Sequence, residues 1–517
     1  MSWMMNVCTT IIENPRLPVS LELSADEVKA VAITEGTSTG AAILPPIYPE
    51  WLGDRAFSAT HGSRFNYVVG EMARGIATPR MVVEAVRAGC LGFYGSAGLA
   101  LDEIELGLLQ IKSELSSDQI CWGANLIHTP QQPGYEAAVV DLFLHEKVRR
   151  VSASAYMRLS PEIVRYTALG LARRPDGQII RTNHVFAKVS RAEVAEQFLS
   201  PAPDAILNSL VDSGAISSAQ AELARQVPVA AEITAEADSG GHTDRRSAAP
   251  LFSSISAARD RVASKFGIDP NAIRIGLAGG IATPHAVAAA FGMGAAYVLT
   301  GSINQAAVES GLSLPGRQLL AKAGPADVAM APAADMFEQG VEVQVLKRGT
   351  LFAMRGKRLF QLYRSGASFE TLDPKDQVWI EDILGEPFEA AWQATRSYIR
   401  DVNPKEAERA ESDGNKRLAL VARRYLFSGA QFARDGDPEH LADYQIWCGP
   451  AQGAFNEWAA GTFLEDISNR TVRQIAWNLM EGAARITRAS QLRAVGVAVP
   501  PTAFDYTPHQ FAETEAA

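Results

Sequence analysis

The 517-residue chain is predicted to be an α/β protein: a (β/α)8 barrel with an appended, mostly helical lid or substrate segment. Three observations predict this. Between residues 65 and 300, eight short β-prone runs are each followed by a helical stretch or a turn, and eight consecutive units favour a closed barrel over an open doubly wound sheet. The last two runs end in glycine- and hydroxyl-rich turns, where such barrels form phosphate sites. After residue 305 the alternation stops and helical periodicity takes over.

Residues 1–60 carry Pro15, Pro18, Pro45, Pro46 and Pro49, show little periodicity and read as an extended arm. The β runs are 65–69, 90–94, 122–127, 151–155, 184–189, 229–235, 273–277 and 296–300. The helical stretches between them are 79–88, 101–114, 135–146, 161–171, 191–199, 254–266 and 284–291. Later helices are expected over 354–363, 378–384, 387–400, 404–412, 416–425 and 470–495. The predicted organisation is an arm (1–60), a barrel (61–330), a helical lid or substrate segment (331–430) and a C-terminal helical segment packing back on the barrel (431–517).

Composition excludes several classes. Hydrophobic residues make up 47% and charged residues 21%, the mix of a globular protein. A net charge of −10 argues against a nucleic-acid partner, since phosphate backbones select basic faces. Cys8, Cys90, Cys121 and Cys448 have neither metal-ligand nor disulfide spacing and read as reduced thiols. The chain offers no signal peptide and no window of about 20 apolar residues, so neither a membrane span nor a metal site is expected, and the location is expected to be cytoplasmic.

Three motifs carry chemistry. Gly276-Leu277-Ala278-Gly279-Gly280-Ile281 ends one β run before a helix opened by Thr283-Pro284, and glycines there let backbone amides approach a phosphate. One unit later, Leu299-Thr300-Gly301-Ser302 repeats the device. Upstream, Ser239-Gly240-Gly241-His242 places an imidazole on a tight turn at the same end of the barrel, where it can donate a proton near neutral pH. Asp238 and His184 are its nearest alternatives. Gly70-Glu71-Met72-Ala73-Arg74-Gly75 and Trp122-Gly123-Ala124-Asn125 close two earlier runs and could hold a heteroaromatic ring.

These motifs resemble the nitronate monooxygenase (2-nitropropane dioxygenase-like) FMN superfamily over residues 65–330. The resemblance implies FMN bound by Met72, Asn125, Gly240, Gly241, Gly279, Gly280, Leu299, Thr300, Gly301 and Ser302, with His242 catalytic. It departs at Ala235 and Glu236, where superfamily members often carry Gln-Gly or Glu-Gly. A narrower resemblance rests on Gly92-Phe93-Tyr94-Gly95-Ser96-Ala97-Gly98, Met330-Ala331-Pro332-Ala333-Ala334-Asp335-Met336-Phe337-Glu338, Val343-Gln344-Val345-Leu346-Lys347-Arg348-Gly349-Thr350 and Tyr444-Gln445-Ile446-Trp447-Cys448-Gly449-Pro450. These runs are similar to the PfaD-type trans-acting enoyl reductases of polyunsaturated fatty acid and polyketide synthases. That resemblance implies NADPH as co-substrate, enoyl thioesters on acyl carrier proteins as substrate, and a homodimer. Lys347, Arg348, Arg355, Lys357 and Arg358 form the expected carrier-protein dock. The alternatives are a nitronate monooxygenase-type flavin oxidase, a non-catalytic docking subunit of a synthase, and a phosphate-binding isomerase barrel.

Overall fold

The computed structural model describes residues 10–23, 28–33, 42–130, 132 and 134–512. Its centre is a closed, all-parallel barrel of eight strands: β1 (Tyr67–Val69), β2 (Leu91–Tyr94), β3 (Trp122–Ile127), β4 (Arg150–Ser154), β5 (His184–Val189), β6 (Glu232–Glu236), β7 (Arg274–Ala278) and β8 (Val298–Thr300). Each pairs with its sequence neighbour, and β8 closes on β1 through Leu299 opposite Val68. The outer helices begin with a repeated local device. Thr78, Ser160 and Thr283 cap the helices that start at Pro79, Pro161 and Pro284, each hydroxyl accepting from the amide three residues on. The prolines fill a position whose N–H has no partner in a helix.

The eighth outer position is filled from far along the chain. Helix Val472–Ala494 packs against Pro284–Gly292 and Pro79–Arg87, the outer helices of the seventh and first strands. The segment from about 306 to 470 is therefore spliced between the last barrel strand and its covering helix. Much of it is the expected helical body, including Phe352–Arg364, Phe388–Val402 and Gly414–Asp435, around a separate apolar core.

Two sequence expectations need correction. The arm is not irregular: Val28–Ala32, Val19–Leu23 and Ala42–Leu44 form a three-stranded antiparallel sheet, whose Val19, Leu21 and Ala30 pack with Ala489 and Leu492 of the long helix. The helical segment also contains strand Glu342–Leu346, which pairs with Gly241–His242 of the barrel's own turn on one side and with strand Val328–Pro332 on the other.

The barrel interior rises in polar and apolar layers. At the N-terminal end, buried Glu232 meets Arg274, His61 and His184. Arg150 Nε donates to His61 Nδ1 at 3.1 Å, which leaves His61 Nε2–H to donate to Glu232 at 3.2 Å. Burial, with the opposing effect of Glu232, pushes His61 down to about 4, so it is neutral. Donor atoms of His61, His184 and Glu232 lie within 4.8 Å of one another, a spacing that resembles a metal site, while Arg274 holds Glu232 Oε1 and Arg150 holds His61 Nδ1. Above lies an apolar layer in which Phe186, Phe93 and Tyr297 meet edge to face. Gly276 is required there, because a Cβ would lie 2.2 Å from the Tyr297 ring.

Candidate active site

Strand alternation puts Lys188 and Glu236 inside the barrel, at the C-terminal mouth, two steps beyond Phe186 and Thr234. Lys188 Nζ lies 2.9 Å from Glu71 and 3.3 Å from Glu236. The Ser154 hydroxyl donates to Glu71 at 3.0 Å, and the Asn125 amide donates to Ser152 O and Ser154 Oγ. Burial works against the Lys188 charge, yet the two carboxylates hold it above its ordinary range. Glu236 is raised by burial and by Glu71, against the pull of Lys188. Two carboxylates thus depend on one ammonium. Lys188→Met should lower stability by about 3 kcal/mol, the cost of leaving buried carboxylates unpaired. The raised Glu236 takes up a proton more readily folded than unfolded, so this deficit should shrink as pH falls. Denaturant unfolding at pH 5 and pH 8 checks the sign; an equal deficit at both would mean the carboxylates do not carry it.

The Gly-Gly-His turn is clasped from two sides. Gly241 sits at φ +81° and His242 pairs with Val343, while Gln344 Nε2 donates to Asp238 Oδ1 at 2.9 Å and Ser239 O at 2.7 Å. A Cβ on Gly240 would lie 2.7 Å from the backbone N of Cys448. His242 Nε2 and Asp335 Oδ1 are 3.2 Å apart, with side chains 39% and 42% exposed. Burial raises the Asp335 carboxyl, but the hydrogen bond and charge of His242 outweigh it and hold the group below its usual range. That carboxylate orients the imidazole, so Asp335→Asn should lower turnover while leaving the melting temperature unchanged. Unchanged turnover in Asp335→Asn would separate Asp335 from the work of His242.

The two glycine loops differ. At Gly279 (φ +80°) a Cβ would lie 2.6 Å from the Ala237 carbonyl carbon, whereas at Gly280 and Gly301 nothing lies within 4 Å. The amides of Gly280, Gly301 and Ser302 enter no backbone bond among the described residues. Gly449 N–H donates to Ser302 Oγ at 3.3 Å and Gln305 holds Trp447 O, so segment Tyr444–Pro450 joins this loop to the Gly-Gly-His turn.

Asn125, Gly240, Gly241, His242, Gly279, Gly280, Gly301 and Ser302 accordingly border one mouth. The side chains of three expected residues have partners within the protein. The Thr300 hydroxyl is bound to Tyr67 and Asn304, Leu299 packs inside the barrel and Met72 joins the main core. The Ala235–Glu236 departure leaves a side chain in the mouth after all, since Glu236 reaches Lys188. His184 lies at the opposite end and cannot serve the mouth. Sequence alone does not single out Lys188 or Asp335, and it gives Glu71 only as part of the Gly70–Gly75 turn; a signal for Lys188 was a lysine within the apolar run of β5.

The inserted helical domain of [acyl-carrier-protein] S-malonyltransferase matches residues 367–444. The chain is 39% identical over 485 residues to a polyunsaturated fatty acid synthase polypeptide of Thraustochytrium sp., covering 92% of this chain and 32% of that one. It is 41% identical over 439 residues to the polyketide biosynthesis protein PksE of Bacillus subtilis, covering 85% and 57%. It thus spans less than two thirds of these relatives. Among solved structures it matches FabK of Thermotoga maritima with a TM-score of 0.51 at 17% identity, covering 85% of this chain and 98% of that one, a likeness of fold. It matches the enoyl reductase domain of MlnA, from the macrolactin cluster of Bacillus amyloliquefaciens, with a TM-score of 0.80 at 36% identity, over 86% of this chain and 99% of that domain. With 36% identity across that whole domain, the chain belongs to the family of this enoyl reductase domain, the PfaD-type enoyl reductases.

Proposed function

We propose that the chain is an FMN- and NADPH-dependent enoyl reductase acting in trans on α,β-unsaturated thioesters carried by acyl carrier proteins. One observation carries this reading. Glycines 280 and 301, ending adjacent strands, leave open space and unused amides beside a mouth floored by Lys188 and Asn125. A phosphate fits the first feature and a polar heteroaromatic ring the second.

Bound there, FMN would carry hydride from NADPH to the substrate β-carbon. The amides of Gly280, Gly301 and Ser302 would hold its phosphate, and Asn125 and Lys188 would face its ring. His242 would deliver a proton to the substrate α-carbon, with Asp335 positioning the imidazole. The helical segment 331–430 would cover the acyl group and exclude water. The arrangement is expected to work as a cytoplasmic homodimer.

A visible spectrum of the purified protein, followed by anaerobic NADPH oxidation with a crotonyl thioester, tests the proposal. Flavin bands and crotonyl-dependent NADPH loss are expected. A colourless protein would favour a docking subunit, and turnover of nitronates with oxygen but not of crotonyl thioester would favour the oxidase.

A further inference from the structure

We infer that an acidic, amphipathic helix of a carrier protein docks in the groove beside helix Phe352–Arg364; the inference rests on the enoyl-reductase reading above and gives its partner a surface. The groove has a volume of about 910 Å³ and is lined by Ala329, Lys347, Leu351, Met354, Lys357 and Trp379. Positions 354, 357, 358 and 361 share one helical face at intervals of three and four. This face keeps apolar surface in water: Met354 is 62% exposed, Leu351 44%, and nearby Val378 59%. Apolar surface gathered in a concave site rimmed by charge marks an interaction surface.

The charges say what fits. The chain carries a net charge of −10, yet five cations fall between residues 347 and 358. Arg355 turns inward to Asp443, Arg348 pairs with Asp327 and Arg358 with Asp376. Among the described residues, Lys347 and Lys357 have no carboxylate within ion-pair distance, and both line the groove. Two free ammonium groups flanking exposed Met354 and Leu351 complement a helix that is acidic on its rim and apolar at its centre. A second copy of this acidic chain is a poorer complement.

The position also suits delivery. Gln344 pairs with Gly241 of the Gly-Gly-His turn, and Lys347 follows three residues later, about 10 Å along the chain at strand rise. A flexible pantetheine-type arm spans that distance, so a carrier protein seated here can present its thioester at the mouth.

The test uses the full chain and a fluorescently labelled carrier-protein domain of a polyketide synthase loaded with crotonyl-pantetheine. Binding to Lys347→Glu/Lys357→Glu and to Met354→Glu should weaken at least tenfold. KM for the carrier-bound substrate should rise by a similar factor, while KM for crotonyl-N-acetylcysteamine stays unchanged. Wild-type binding should also weaken as salt is raised from 50 to 500 mM, because the lysines are exposed. Undiminished binding by the variants, equal losses on both substrates, no binding by the wild type, or conversion of a dimer to a monomer by Met354→Glu would each overturn the inference. Because binding is measured directly, loaded carrier that docks on Lys347 and Lys357 but is never reduced would sink the enoyl-reductase reading and leave the dock standing.

Discussion

His242→Ala should slow reduction of the enoyl thioester by roughly 10²–10⁴-fold, the usual worth of a positioned general acid, while NADPH still bleaches the flavin absorbance at nearly the wild-type rate. The imidazole is 39% exposed and, among the described residues, bonds only to Asp335, so its removal opens no cavity. The turn itself is held by Gln344 through Asp238 and Ser239 and by the close approach of Gly240 to Cys448. Fold and cofactor loading should therefore survive. Stopped-flow absorbance follows the two half-reactions separately. Re-oxidation by crotonyl thioester at the wild-type rate would mean that solvent supplies the proton. His184 cannot substitute, because it lies against Glu232 at the far end of the barrel.

The barrel was legible in the sequence because each of its strands is a short apolar run closed by a turn signal, and helix starts such as Thr78-Pro79 and Thr283-Pro284 are punctuated locally. The observed strand ends lie close to the expected ones. What escaped was structure fixed by distant partners. Val19-Ser20-Leu21-Glu22-Leu23 does alternate, but a five-residue strand becomes stable only against Ala489 and Leu492, more than 450 residues away. The strand Glu342–Leu346 exists because Gly241–His242 and Val328–Pro332 flank it.

The site divides in the same way. Glycine loops and the Gly-Gly-His turn advertise themselves, since tight turns demand particular residues locally. Lys188, Glu71 and Glu236 belong to three strand ends and become one unit only when the barrel closes. Asp335 meets His242 across 93 residues, with no spacing rule to connect them. Thr300 shows the converse: a hydroxyl in the expected loop whose bonds to Tyr67 and Asn304 turn it away from a ligand.

Gly301→Asp should strip the protein of flavin while leaving it folded. Gly301 sits at φ −118° as the cap of helix Ser302–Gln305, outside the left-handed region, and a Cβ there meets nothing within 4 Å. Aspartate is moreover a favourable N-cap residue, so the melting temperature should not fall. The new carboxylate would stand where a phosphate is expected. At about 4 Å in a partly screened site, each unit of like charge costs about 4 kcal/mol, so affinity for the flavin should fall by about a thousandfold. Gly279→Asp is a poorer probe, because its φ of +80° and the 2.6 Å approach to Ala237 would strain the backbone and confound lost binding with lost stability. The flavin absorbance per protein, read beside the melting temperature, decides the matter. Full occupancy in Gly301→Asp would place the phosphate elsewhere, and with it the assignment of the whole mouth.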